Sequence, residues 1–198
     1  MIEIKPLQNL QATVTVPGSK SYTNRALLIA GLTDGECRLE KPLVSDDTKY
    51  MIRALKAFGV SVQEGKDVFI VSGSGGKLST PKEDIFIGNA GTAMRFLTTF
   101  SALAPGKTRL DGDERMRQRP LADLLDCLTQ MGVKAVSANG NGCPPIDIAG
   151  GEVPGGDIQL AGDKSSQYLT SILLSAPYFK DDTCIHIQGD LTSKSYAD

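Results

Sequence analysis

The chain has 198 residues, 40% of them hydrophobic and 22% charged, with 21 Lys and Arg against 23 Asp and Glu for a formal charge of −2. Such numbers suit one sizeable core, or one domain with part of another, and exclude disordered and fibrous classes. A charge so balanced offers no general attraction to nucleic acid or an anionic membrane, so any anion site must arise by local clustering.

Cys37, Cys127, Cys143 and Cys184 form no CxxC pair, and the only histidine is His186. A zinc site takes about four close N or S ligands, so no metal centre is expected. The cysteines read as reduced, mostly buried thiols. The opening MIEIKPLQNLQ lacks the apolar stretch of a signal peptide, and no apolar run reaches the ~20 residues that span a bilayer. A soluble, cytoplasmic protein is the expectation.

In chain order, the first cluster of note is Pro17-Gly18-Ser19-Lys20-Ser21-Tyr22-Thr23-Asn24-Arg25, which opens a helical run, TNRALLIAGL. A turn and a strand ending at Leu39 follow, then a second helix, DTKYMIRALKAFGV, and two short strands, SVQ and VFIVSG. Roughly 70 residues on, the order recurs. Gly88-Asn89-Ala90-Gly91-Thr92-Ala93-Met94-Arg95 opens the helix TAMRFLTTFSAL. A strand, the arginine run Arg115-Met116-Arg117-Gln118-Arg119-Pro120, the helix RPLADLLDCLTQMGV and the strands KAVSA and PIDIAG complete the second copy. A third begins at Gly162-Asp163-Lys164-Ser165-Ser166-Gln167, with helix SSQYLTSILLSAP and strand TCIHIQG, and ends at LTSKSYAD.

The second helices carry matching apolar stripes, Met51, Ile52, Leu55 and Phe58 in one and Leu121, Leu124, Leu125, Leu128 and Met131 in the other. Gly59 and Gly132 are placed to stop them. The fold class is therefore α/β, built from βαβαββ units spanning about 13–83, 84–155 and 156–198. The third copy stops where its second helix is due, so roughly 40 residues of that unit are expected beyond the chain; a short capping repeat is the alternative. SGSGG at 72–76 and AGGEVPGGD at 149–157 read as turns between units.

Each of the three clusters follows a strand and opens a helix, where free N–H donors and a partial positive charge favour phosphate or carboxylate. An ordinary N-cap explains any one of them alone; three at equivalent places suggest a shared anion site. Arg119 suits bidentate anion recognition, with Pro120 setting its approach to a helix. No Walker A loop or GxGxxG motif occurs, and His186, within the alternating run CIHIQ, reads as a strand residue.

At VPGSKSYTNRALLIA, GNAGTAMR, RMRQRP, GDKSSQYLTSILLSAP and GDLTSKSY the sequence strongly resembles the 5-enolpyruvylshikimate-3-phosphate synthases, in order and over essentially its whole length. The related UDP-N-acetylglucosamine enolpyruvyl transferases share the fold but lack the GNAGTAMR and SSQ sequences. The resemblance implies the inside-out α/β barrel of enolpyruvyl transferases, with helices central and sheets outward. It implies transfer of the enolpyruvyl group of phosphoenolpyruvate to the 5-hydroxyl of shikimate 3-phosphate, with no metal or organic cofactor, in a monomer.

By the same resemblance, Lys20 would contact both substrates and serve in proton transfer. Asn89, Gly91, Thr92, Arg119 and Gln167 would form the phosphoenolpyruvate site. Ser21, Arg25, Ser165, Ser166, Gln167 and Ser193 would hold shikimate 3-phosphate. Phe96 stands where many members carry proline, which could alter the phosphoenolpyruvate loop and its tolerance of glyphosate. Members are about twice as long, with two domains of three units. Residues 1–12 would then belong to the second domain and 13–198 to the phosphate-binding domain, a C-terminal half being the expected partner and the chain alone inactive. A non-catalytic anion-binding module and one half of a split enzyme remain open alternatives.

Overall fold

The computed structural model describes residue 9, residues 11–163 and residues 165–191. In chain order the elements begin with α1 (Lys20–Leu32), β1 (Glu36–Glu40), α2 (Asp46–Ala57), β2 (Ser61–Glu64) and β3 (Val68–Ser72). They continue with β4 (Ile85–Phe86), α3 (Gly91–Ala102), β5 (Gly106–Asp111), α4 (Ala122–Gln130), β6 (Lys134–Ser137) and β7 (Ile146–Gly150). β8 (Gly156–Ala161), α5 (Ser166–Ser175) and β9 (Thr183–Gln188) complete the described elements.

Three small sheets result, in strand orders β1-β3-β2, β4-β5-β7-β6 and β8-β9. The β4–β5 and β8–β9 pairs are parallel and are bridged by α3 and α5, while the remaining pairs are antiparallel. α1, α3 and α5 pack against one another at the centre. Ser171 Oγ of α5 donates to the Arg95 carbonyl of α3, and Arg25 of α1 stacks on Phe96 of α3. These pairs all lie four or five residues into their helices, and Tyr178, just after α5, donates to the carbonyl of Leu32 at the end of α1, so the helices run alike with their N-termini at one end. Helices thus lie inside and sheets outside, the architecture that the sequence resemblance implies.

α2 and α4 form as their stripes predict. α2 starts with a Ser45–Thr48 capping box and two acidic residues in its first turn, both favourable at a helix N-terminus. Its stripe, Met51, Ile52, Leu55 and Phe58, is buried, as is that of α4. Gly59 and Gly132, at φ +90° and +81°, end the two helices in the left-handed conformation that glycine adopts without strain.

Two expectations need correction. Among the described residues the first unit lacks its leading strand: residues 11–19 form none, and Val14 and Val16 are each 78% exposed. An alternating run becomes a strand only where an edge receives its backbone, and none of the three sheets pairs with it. The cysteines are all free, but only Cys127 is buried, where desolvation pushes its thiol up to about 11, while Cys184 is exposed. The glycine-rich segments also do more than turn. The N–H groups of Ser74, Gly75 and Gly76 donate to the carbonyls of Gly31, Thr33 and Leu32, closing the C-terminus of α1, and Gly151 does likewise at Ala102 of α3. Among the described residues no helix is long and apolar enough to cross a membrane.

Asp147 on β7 locks the four-stranded sheet. Arg109 Nε and Nη2 of β5 donate to its two oxygens at 2.7 and 2.9 Å, with Lys107 Nζ at 3.3 Å. The Arg109 hydrogen bonds hold this carboxyl below its ordinary value. Its stabilisation is therefore present above the unfolded value of about 3.9 and is lost as pH falls through the folded one. Asp147→Asn should lower stability by about 1–2 kcal/mol at neutral pH, a gap that narrows below about pH 4; urea unfolding across a pH series measures both.

Candidate anion site at the helix N-termini

The three central helices start differently. Ser19 caps α1 by accepting from Tyr22 N, and Ser165 caps α5 by accepting from Gln167 N. α3 begins after Ala90, which offers no side-chain cap. Its first-turn amides are thus left to an exogenous acceptor. What surrounds them is cationic. A Cβ at Gly91 would collide with Arg119 Nη1 and stand 3.0 Å from Arg95 Nη1, so both guanidinium groups lie over the glycine.

Local hydrogen bonds place Arg119. Asp113 Oδ1 accepts from Met116 N and starts a 3₁₀ turn over Met116–Gln118, after which Arg119 is extended. Asp113 N donates to Gly88 O, stitching this loop to the one preceding α3. Arg117 points elsewhere: its Nε and Nη2 grip Asp111 at 2.9 and 2.5 Å, chiefly by which that carboxyl is held below its ordinary value. Of the alternating arginines, one is therefore a structural clamp and Arg119 the one delivered to α3.

Arg95 joins α3 to α5. Its Nη1 donates to the Gly91 carbonyl and to Gln167 Oε1, both at 3.1 Å, and its guanidinium lies 5.6 Å from the centre of the Tyr168 ring. Tyr168 in turn donates to the Pro120 carbonyl at 2.7 Å, while burial pushes its hydroxyl pKa up. A cavity of about 350 Å³ opens here, lined by Arg95, Pro120, Asp123, Ser165, Gln167 and Tyr168. Buried side-chain atoms without a partner among the described residues include both amide atoms of Asn24, Asn89 Oδ1 and Arg95 Nε.

Gly91, Arg119, Gln167 and Ser165 are thus gathered through Arg95, with Asn89 and the buried Thr92 in the same loop and helix start. Ser166 is buried beside Ser165. Ser165 spends an acceptor lone pair on its cap and keeps its O–H to donate. At α1, Arg25 Nη1 donates to the Ser21 carbonyl at 3.1 Å and the guanidinium carbon sits 5.0 Å from the centroid of the Phe96 ring. Lys20, about half exposed, is paired with Asp47 at the start of α2, 3.0 Å away, rather than with the other clusters. Ser193, like Lys164, lies outside the described residues. Arg95 and Tyr168 were missed as site residues. Arg95 closes the GNAGTAMR string four residues after Gly91, on the same helix face, and that spacing could have marked it.

The family model of EPSP synthase (3-phosphoshikimate 1-carboxyvinyltransferase) matches residues 4–198. The chain belongs to this family. It is 45% identical over 190 residues to the 3-phosphoshikimate 1-carboxyvinyltransferase of Methanothermobacter thermautotrophicus, covering 96% of this chain and 45% of that protein. With the Pseudoalteromonas translucida enzyme of the same name it shares 42% over 199 residues, or 100% and 47% of the two chains. EPSP synthase from Acinetobacter baumannii superimposes with a TM-score of 0.83 at 25% identity, over 93% of this chain and 42% of that one. The enolpyruvyl transferase NikO from Streptomyces tendae, at 17% identity and a TM-score of 0.60 over 87% and 39%, shares the fold. The chain thus spans about half the length of the curated relatives it matches.

Within the family's fold, the position of Phe96 acquires a structural reading. Its fully buried ring is the surface on which Arg25 rests. A double-mutant cycle of Phe96→Leu and Arg25→Met, read by urea unfolding, should return a coupling of about 0.5–1 kcal/mol. A coupling indistinguishable from zero would mean that the stack does not hold the arginine.

Proposed function

We propose that this chain provides the shikimate 3-phosphate site and part of the phosphoenolpyruvate site of an enolpyruvyl transferase. The observation that carries the reading is the uncapped start of α3, with Arg119 and Arg95 folded over Gly91 and Gln167 tied to Arg95. Donors so arranged suit a phosphate or carboxylate oxygen, and their fixed positions remove the cost of organising them during reaction. The anion-binding groups that the family resemblance implies then divide between two substrates. Gly91, Asn89, Thr92 and Arg119 take phosphoenolpyruvate; Ser21, Arg25, Ser165, Ser166 and Ser193 take shikimate 3-phosphate; Lys20 and Gln167 lie between.

In this reaction the methylene carbon of phosphoenolpyruvate gains a proton and the substrate 5-hydroxyl oxygen bonds to the adjacent carbon, losing its own proton. The tetrahedral adduct then loses inorganic phosphate from that carbon and a proton from the methyl group, leaving an enol ether. Lys20, ion-paired with Asp47, is the group of this chain assigned to proton transfer. Further acid, base and cationic groups are assigned to the remaining length of the longer relatives. Residues 13–198 are read as the phosphate-binding domain and 1–12 as part of the second domain. Reduced thiols fit a cytoplasmic setting.

Calorimetric titration of shikimate 3-phosphate into the purified chain should show saturable binding, weakened about tenfold or more by Arg25→Ala. No phosphate should be released from phosphoenolpyruvate until a C-terminal half from a relative is added. Gly91→Ala, which displaces the Arg119 guanidinium, should leave shikimate 3-phosphate binding within about twofold of wild type and abolish most of that reconstituted turnover. Turnover by the chain alone would overturn the assignment of catalytic groups to the other half. Absence of binding with and without the complement would overturn the functional reading itself.

A further inference from the structure

The outward face of the β8–β9 pair brings together three metal-ligating side chains that the anion site does not use. The two strands are parallel, with Asp157 opposite Cys184 and Gln159 opposite His186. Alternation sends Ile158 and Leu160 into the core and leaves Asp157, Cys184 and His186 exposed on the other face. Cys184 and His186, two apart on one strand, stand about 6.6 Å apart along it on the same side. The register sets Asp157 beside them. One ligand atom from each residue lies within 4.8 Å of the other two, and His186 Nε2 is 3.0 Å from Asp157 Oδ1.

We propose that Asp157, Cys184 and His186 form a three-ligand site for a borderline divalent transition ion of the Zn²⁺ type, with water in the fourth position. Three observations support it together. The donor set is mixed thiolate, imidazole and carboxylate, which suits such ions and serves Mg²⁺ or Ca²⁺ poorly, since these require about six or more oxygens. Charge balances, because a thiolate and a carboxylate together cancel the two positive charges and the imidazole is neutral. Geometry is close: metal–ligand bonds of about 2.0–2.3 Å place tetrahedral ligand atoms about 3.3–3.8 Å apart, so the side chains need close by only about 1 Å. Exposed side chains on a hydrogen-bonded sheet can do this by small rotamer changes, and binding releases the thiol proton to solvent. The absence of a CxxC pair argues against a site along the sequence, but here the donors meet across two strands.

Calorimetric titration of ZnCl₂ into the chain, with a non-thiol reductant present, should give one equivalent bound, unaffected by about a hundredfold excess of Mg²⁺. Cys184→Ser and His186→Ala should each weaken binding about tenfold or more, and Asp157→Asn by a smaller but resolved factor. All three lie on the exposed face, so circular dichroism and urea midpoints should stay near wild type. Co²⁺ in place of Zn²⁺ should give a thiolate-to-metal charge-transfer absorption that Cys184→Ser abolishes. Substoichiometric Zn²⁺ binding overturns the proposal, as does binding that persists undiminished in any one of the three variants.

Discussion

Everything near the candidate site depends on three helices pointing the same way. Each start presents unsatisfied N–H groups and about half a positive charge. Setting α1, α3 and α5 parallel brings those partial charges to one end of the core, an arrangement that an anion stabilises and that the serine caps of α1 and α5 offset only in part. The opposite ends of α1 and α3 are settled within the chain, through backbone amides of the glycine-rich segments after β3 and β7. The Tyr178 hydroxyl also donates to the Leu32 carbonyl. At α1 and α3 the carbonyl ends are satisfied, while the uncapped amides of α3 are kept available, which gives the core a chemical polarity that the near-neutral net charge conceals.

Arg95 turns that polarity into a defined cradle. One nitrogen reaches both the Gly91 carbonyl and the Gln167 side chain, so α3 and α5 cannot shift independently without breaking a charged hydrogen bond. The stack on Tyr168 and that residue's bond to Pro120 carry the constraint on to the loop bearing Arg119. Arg25 is tied to α3 in a different manner, through the face of Phe96. The two cationic arms thus converge on a single helix.

Legibility in the sequence followed burial geometry. α2 and α4 each have one wet face and one dry one, so Leu55 and Leu128 stood out by spacing, and Gly59 and Gly132 marked their ends. α3 is surrounded, and α1 and α5 carry apolar residues even where they are exposed, at Ile29 and Leu173, so no stripe distinguishes the faces of these three; their presence was legible from composition and from the helix-opening clusters instead. Gly91 and Arg119 were recoverable because glycine before a helix and arginine beside proline have few other uses. Arg95 carried only the weaker mark of its four-residue spacing from Gly91, because an arginine at that depth in an apolar helix resembles an exposed charge until its partners on α5 are known. The pairing of Lys20 with Asp47 and the exposure of Cys184 depend on which elements become neighbours, information that no local window contains. The leading strand expected before α1 failed for the same reason: alternation specifies a strand only together with an edge to receive it.

The mixed strand directions carry a consequence for how the chain acquires its structure. β2 and β3 are neighbours in sequence joined by a tight turn, and β1 adds to them after one short helix, so the first sheet closes over local distances. β8 and β9 can meet only after α5 has crossed between them, since a parallel pair has no hairpin route. Loop closure must then be met before the pairing returns any energy. Assembly is therefore expected to proceed from the N-terminal sheet toward β9, in the order in which a ribosome releases the segments.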